Sequence, residues 1–170
     1  MKFTLAELNK LDRAGFTLVV GPMFEHSAWI AEMTWEKRPF GTMEQLHQAL
    51  SHTVRNANHE QQLALIRAHP DLVGRAALSG TLTRESTSEQ ASAGLNALTP
   101  EEMALFQKQN AAYHARFGFP FVICARLNKK EAILAGFEHR LKNSPDQEIQ
   151  TALEEIFKIA ELRLRDLTHP

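Results

Sequence analysis

Residues Ile149 to Leu164 read Ile-Gln-Thr-Ala-Leu-Glu-Glu-Ile-Phe-Lys-Ile-Ala-Glu-Leu-Arg-Leu, and this stretch decides the fold class. Its apolar residues recur every three or four positions, which is the spacing of one face of an α-helix. The face consists of Ile149, Leu153, Ile156, Phe157, Ala160 and Leu164. Because such a face must be buried, the stretch predicts a long helix packed into a helical core.

Signals for the start of a helix recur along the chain. At six places an acceptor side chain precedes a Glu or Gln by three residues, so that each side chain can bond a backbone amide of the first turn. These pairs are Thr4–Glu7, Thr42–Gln45, Asn58–Gln61, Thr99–Glu102, Asn128–Glu131 and Ser144–Gln147. A further apolar stripe is formed by Leu105, Phe106, Ala112, Tyr113 and Phe117, and Gly118 is expected to stop that helix. We therefore predict an all-α fold, a single-domain helical bundle over residues 1–170.

Two segments depart from the helical pattern. Gly74 to Glu85 carries two glycines and several hydroxyl side chains, which predicts one long irregular connection. Phe119 to Ala125 is apolar and too short for a helix, and Pro120 disfavours a central strand. We expect a short, extended, buried segment whose backbone amides are available to a ligand.

Composition narrows the class of partner. The 170 residues are 44% apolar and 23% charged, with a formal net charge of -1. Because there is no run of Lys or Arg, we expect neither nucleic acid nor a membrane surface as a partner, but a small molecule. The single cysteine, Cys124, cannot form an internal disulfide, and Met1 to Val20 is interrupted by charges, unlike a signal peptide. These features predict a cytoplasmic protein.

His69 is the first candidate for chemistry, in the stretch His-Pro-Asp-Leu-Val-Gly from 69 to 74. It closes an apolar helical pattern, and Pro70 disfavours further helix, so the imidazole should project from a helix end. Such an imidazole can equally bond a carbonyl of the last helical turn without any function. Similarly, Ser86 and Glu89 can form a capping box, and Arg163 can be a solvated residue of an amphipathic helix.

The sequence offers little support for a catalytic metal site or for a cysteine nucleophile. His59-Glu60 begins like a zinc-protease helix, but Leu63 stands where the second histidine belongs. His52 and His59 could share a helix face, yet two ligands are fewer than a catalytic zinc site uses. Cys124 lies in an apolar run that should bury the thiol and raise its pKa. We expect no metal site and no cysteine nucleophile.

Four ordered blocks resemble the 2-oxo-4-hydroxy-4-carboxy-5-ureidoimidazoline (OHCU) decarboxylases of urate degradation. They are Phe24 to Trp29, Ala68 to Gly74, Glu85 to Leu95 and Phe117 to Ala125, and Glu154 to Ile156 with Arg163-Leu164 complete the set. The likeness spans almost the whole chain and is far more specific than a lone motif.

The resemblance implies an all-helical, commonly dimeric enzyme that uses neither metal nor organic cofactor and releases CO2 from OHCU to give (S)-allantoin. It makes His69 the catalytic proton donor, with Glu89 and Arg163 beside it. The substrate-binding residues that it implies are Pro70, Ser86, Thr87, Ser88, Glu89, Gln90, Phe121, Val122, Ile123, Cys124, Ala125 and Arg163. The alternative is a non-catalytic helical binding or interaction module on the same scaffold, which predicts stabilisation by a ligand without faster release of CO2.

Overall fold

The computed structural model describes residues 2–169, so Met1 and Pro170, the two ends of the predicted domain, lie outside the described residues. The described part has ten α-helices, three short 3-10 turns and, in place of a sheet, one isolated β-bridge between Phe3 and Thr168. The prediction of an all-α fold is confirmed. The helices are α1 (Leu5–Lys10), α2 (Arg13–Val20), α3 (Trp29–Thr34), α4 (Met43–Arg55), α5 (His59–Arg67), α6 (Arg75–Ser79), α7 (Arg84–Ser92), α8 (Pro100–Phe117), α9 (Lys130–Arg140) and α10 (Pro145–Leu167).

The chain divides into two compact units. The first unit comprises Met1–Ala68 and Phe157–Pro170, and the second comprises His69–Ile156. Helix α10 therefore contributes its first half to the second unit and its last half to the first. That the chain forms one domain over 1–170 stays a prediction.

Five of the six predicted helix starts are confirmed. Thr4, Thr42, Asn58 and Thr99 are the N-caps of α1, α4, α5 and α8, and Ser144 accepts a bond from the amide of Gln147 at the start of α10. The sixth, at Asn128, is wrong. The side-chain amide of Asn128 donates instead to the carbonyl of Cys124 at 3.0 Å, so α9 begins one residue later, without a side-chain cap.

The connection after His69 is less irregular than its composition indicates. Arg75–Ser79 forms the five-residue helix α6, and Gly80 ends it in the left-handed conformation at φ +70°. Only residues 80–83 remain between α6 and α7. Thr83 caps α7, its hydroxyl accepting from the amide of Ser86 at 3.2 Å. The expectation that Ser86 is the N-cap is therefore wrong, because Ser86 lies within the first turn of α7.

Each unit has its own apolar core. In the first unit, α2, α4 and α5 bury apolar side chains, and Phe157, Ala160 and Leu164 of α10 are buried as well. In the second unit, three aromatic rings form a cluster: Tyr113 of α8, Phe121 of the segment before α9, and Phe137 of α9. The rings of Phe121 and Phe137 are stacked, with their centroids 3.8 Å apart. The stripe predicted along α8 is correct at Phe106 and Tyr113, but Leu105 and Ala112 are exposed.

Candidate active site

His69 lies just beyond the end of α5, as its position before Pro70 predicts. It is buried, with 7% of its surface exposed, and it lies two residues before a tight turn over residues 71–74. Val73 in this turn has φ +55°, a strained value for a β-branched residue. Strain of this kind persists only where surrounding contacts enforce it, and it concentrates at functional sites.

Three side chains from α7 and α8 enforce the turn that follows His69. Gln90 accepts from the Val73 amide at 3.1 Å through Oε1, and its Nε2 donates to the Asp71 carbonyl at 3.3 Å. Asn110 Nδ2 donates to the Leu72 carbonyl at 2.7 Å, and His114 Nε2 lies 2.7 Å from Asp71 Oδ1. The backbone that carries the candidate proton donor is thus tied to two helices of its own unit.

Helix α7 carries five of the predicted substrate-binding residues. Ser86 and Gln90, four positions apart, form its buried face. Glu89 is half-buried next to that face, whereas Thr87 and Ser88 are exposed. The side chains of Ser86, Glu89 and Gln90 are therefore the ones that the helix directs away from solvent.

The segment from Phe119 to Cys124 lies outside helix and strand and is almost wholly buried, as predicted, and it ends in extended backbone at Cys124. A 3-10 turn, Ala125–Leu127, ends the segment and packs against α7. Its backbone is less available to a ligand than we expected, because the Cys124 amide donates to Glu155 Oε2 at 2.8 Å and Arg140 Nη1 donates to the Val122 carbonyl at 2.6 Å.

The thiol of Cys124 is buried and its pKa is raised, as the sequence predicts. Burial is the main cause, and the carboxylates of Glu155 and then Glu89 act in the same direction. Glu89 lies on α7, and the 3-10 turn at the end of the extended segment packs against that helix. In the second unit, the structure therefore brings together the His69 turn, α7 and residues 121–125.

Arg163 belongs to the last part of α10, in the first unit. Its side chain is 4% exposed, so the interpretation of Arg163 as a solvated helix residue is wrong. Nη2 donates to Glu25 Oε1 at 2.8 Å, and Nη1 donates to the Pro22 carbonyl at 3.1 Å. Glu25 is itself buried, in a turn where His26 has φ +45° and the Ser27 hydroxyl donates to the Glu25 carbonyl at 2.8 Å. That Arg163 acts together with His69 and Glu89 stays a prediction.

The described residues contain neither a group of side chains that could bind a metal ion nor a membrane-spanning helix. Between residues 2 and 169, no three side chains of His, Cys, Asp or Glu are grouped so that they could hold a metal ion. Within the same range, no helix is long and apolar enough to cross a membrane.

Comparison with known proteins decides the family. The family model described as OHCU decarboxylase matches residues 9–165. This chain belongs to the OHCU decarboxylase family. The family member from Halalkalicoccus jeotgali, named 2-oxo-4-hydroxy-4-carboxy-5-ureidoimidazoline decarboxylase, is 41% identical over 169 residues, which cover 99% of this chain and 94% of the relative.

Two further comparisons agree. A protein of the same name from Haloferax volcanii is 41% identical over 97% of this chain and 96% of its own length. The solved structure of an (S)-allantoin synthase superposes with a TM-score of 0.79 at 30% identity. It matches 98% of this chain, which in turn spans about half, 54%, of that longer protein. This member of the OHCU decarboxylase family thus resembles known relatives in both sequence and fold.

Sequence reasoning missed several side chains that support these elements. Glu25 lies within a block that carries the family resemblance, and that block was the only signal for it. Glu155 likewise lies in a stretch that carries the resemblance, Glu154 to Ile156. Asn110 and Arg140 gave no signal, because each lies in a helix whose polar residues are by default solvated.

Proposed function

We propose that this chain decarboxylates OHCU to (S)-allantoin and CO2 in urate degradation, with His69 as the proton donor. The observation that carries the proposal is the family match from residue 9 to residue 165, which takes in His69, Glu89 and Arg163. The geometry of the second unit supports it, because a buried histidine precedes an enforced turn that is hydrogen-bonded to the helix carrying Glu89.

The chemistry requires no organic cofactor. In OHCU the departing carboxylate is attached to a carbon next to a C=N bond, so the electrons released with CO2 have an acceptor within the substrate. The protein must then bind an anion, stabilise the developing negative charge and protonate one face of the carbanion equivalent that loss of CO2 leaves. We assign these tasks to side chains of the chain itself.

The three residues have complementary roles in this proposal. The guanidinium of Arg163 binds a carboxylate or a developing oxyanion, for which its planar donors are suited. Glu89 accepts a hydrogen bond from the hydroxyl or a ring N–H of the substrate. His69 delivers the proton, since imidazole changes its charge near neutral pH. Pro70, Ser86 to Gln90 and Phe121 to Ala125 complete the binding surface.

The deciding experiment is incubation with freshly generated OHCU, with the handedness of allantoin followed by circular dichroism. We expect wild-type protein to accelerate CO2 release and to give (S)-allantoin, and His69→Asn to lower turnover by roughly 10²-fold or more, as loss of a general acid does. His59→Asn is the matched control, because His59 is exposed in the first turn of α5.

The possible outcomes separate the hypotheses. A folded His69→Asn protein with full activity would assign the proton to another donor. A wild-type protein that is stabilised by the substrate or product but leaves CO2 release unchanged would instead be the non-catalytic binding module.

We also propose that the chain works as a homodimer in the cytoplasm. The dimer rests on the family resemblance, and the compartment on the single, buried Cys124, which suits a reducing environment. Sedimentation of the purified protein at several concentrations tests the dimer: twice the chain mass of 19.2 kDa is expected.

A further inference from the structure

The second unit contains a buried charged network that the proposed mechanism does not use. Arg140 of α9 donates through Nε and Nη2 to the carboxylate of Glu148, at 2.9–3.2 Å. The hydroxyl of Tyr113 donates to Glu148, and Asn143 Nδ2 also donates to it at 2.9 Å. Glu148 and Tyr113 are fully buried, and Arg140 is 6% exposed.

Burial of an ion pair is by itself weak evidence that the pair is there to stabilise the fold. Removing two charges from water costs free energy that their attraction does not reliably return, and apolar side chains of similar volume are often as stabilising or more so. The surroundings here are aromatic: the guanidinium carbon of Arg140 lies 4.3 Å from the centroid of the Phe121 ring. A buried arginine in this core calls for another explanation.

The explanation lies in the backbone of the extended segment. A buried carbonyl needs a hydrogen-bond donor, and in a sheet the neighbouring strand provides it. Residues 121–124 have no such strand among the described residues, and side chains replace it. Arg140 Nη1 donates to the Val122 carbonyl at 2.6 Å, and Glu155 accepts from the Cys124 amide at 2.8 Å.

Arg140 therefore contacts the segment twice, at the Phe121 ring and at the Val122 carbonyl, while Glu148 holds the guanidinium in place. We propose that Arg140 is a positioning residue for substrate binding, which fixes the backbone of residues 121–125 at the site. This inference rests on the proposed function only in assigning those five residues to the substrate.

The test replaces the network without leaving a buried charge unpaired. In the triple variant Arg140→Met, Glu148→Leu, Tyr113→Phe, apolar side chains fill the core, and we expect it to fold. Its KM for OHCU should rise by about tenfold or more, the usual effect of losing a charge-assisted hydrogen bond, with a smaller change in kcat. Tyr113→Phe alone is the control, because it leaves the bond from Arg140 to Val122 and should keep KM within about twofold.

A second readout is independent of activity. Hydrogen exchange at residues 121–125 should be faster in the triple variant than in Tyr113→Phe, with the helices of the first unit unchanged. Unchanged KM and unchanged exchange in the folded triple variant would overturn the proposal, and so would an equal rise in KM in both variants. If wild-type protein does not decarboxylate OHCU, the proposed function fails. The exchange data then decide by themselves whether Arg140 fixes the backbone of residues 121–125.

Discussion

Arg163 and Glu25 form an ion pair that is buried, and its burial should make the pair sensitive to a single substitution. Both side chains are almost inaccessible, at 4% and 2% exposure, whereas the Arg13–Glu36 pair, of similar length at 2.7 Å, is 48% and 66% exposed. Exposed pairs contribute about 0–1 kcal/mol, but removing one partner of a buried pair leaves a charge without compensation. We therefore expect Glu25 to hold Arg163 in the orientation that anion binding needs.

The substitution Glu25→Gln tests this expectation. It keeps an acceptor oxygen near Arg163 but removes the negative charge, so the free energy of unfolding should fall by about 3–5 kcal/mol. Urea unfolding measures the loss, and Glu36→Gln in the exposed pair is the control, expected to change stability by less than about 1 kcal/mol. Equal effects of the two substitutions would mean that burial adds nothing to the pair formed by Glu25 and Arg163.

This pair also shows which contacts of a single residue cannot be predicted from its neighbours in the sequence. The position of His69 beyond a helix end and the burial of Cys124 were predicted correctly, because a proline and an apolar run are their immediate neighbours. Glu25 and Arg163 are 138 positions apart, and their contact depends on the packing of whole helices. Local pattern therefore assigned Arg163 to solvent, and only the family resemblance indicated a site.

Among the elements, α7 has the greatest effect on the candidate site. Its short length, nine residues, gives it little stability of its own, and its buried side chains are the polar Ser86 and Gln90. Two contacts compensate: Thr83 caps the first turn, and Gln90 bonds the turn that follows His69. Disturbing the cap should loosen the predicted substrate-binding residues together.

Thr83→Ala should destabilise the protein by about 1 kcal/mol, because the amide of Ser86 loses its acceptor. We also expect a higher KM for OHCU, since α7 carries the binding residues. Thr83→Ser keeps the hydroxyl and should restore both quantities. The readouts are denaturant unfolding and steady-state kinetics; a KM that stays at the wild-type value in Thr83→Ala would separate the cap from substrate binding.

Helix starts illustrate which parts of an element are predictable. A cap and its partner are three residues apart, so the sequence contains both, and five of six predicted starts are correct. At α7 the capping-box rule chose Ser86 with Glu89, because Thr83 has Ser86 rather than Glu or Gln three residues later. At Asn128 the rule predicts a cap for the following helix, but the Asn128 side chain instead donates to the Cys124 carbonyl at the start of the preceding 3-10 turn.

On the scale of the whole molecule, the buried phenol of Tyr113 should make stability depend on pH in the alkaline range. Tyr113 is the only tyrosine of the chain, and burial raises its pKa well above the ordinary value of about 10, with the Glu148 hydrogen bond acting in the same direction. The folded protein therefore keeps the proton under conditions in which the unfolded chain has released it. By linkage, this contribution to stability is complete below about pH 10 and is lost progressively as the pH rises above that value.

A titration of the near-ultraviolet tyrosinate band measures this directly, since Tyr113 is the only tyrosine of the chain. We expect no tyrosinate in the native protein at about pH 11, and a midpoint near the ordinary value of about 10 in denaturant. Between these two pH values the free energy of unfolding should fall more steeply in wild-type protein than in Tyr113→Phe, which has no phenol to ionise. A native midpoint close to 10 in a protein that remains folded would contradict the prediction, because the phenol would then ionise without opposition from burial and from Glu148.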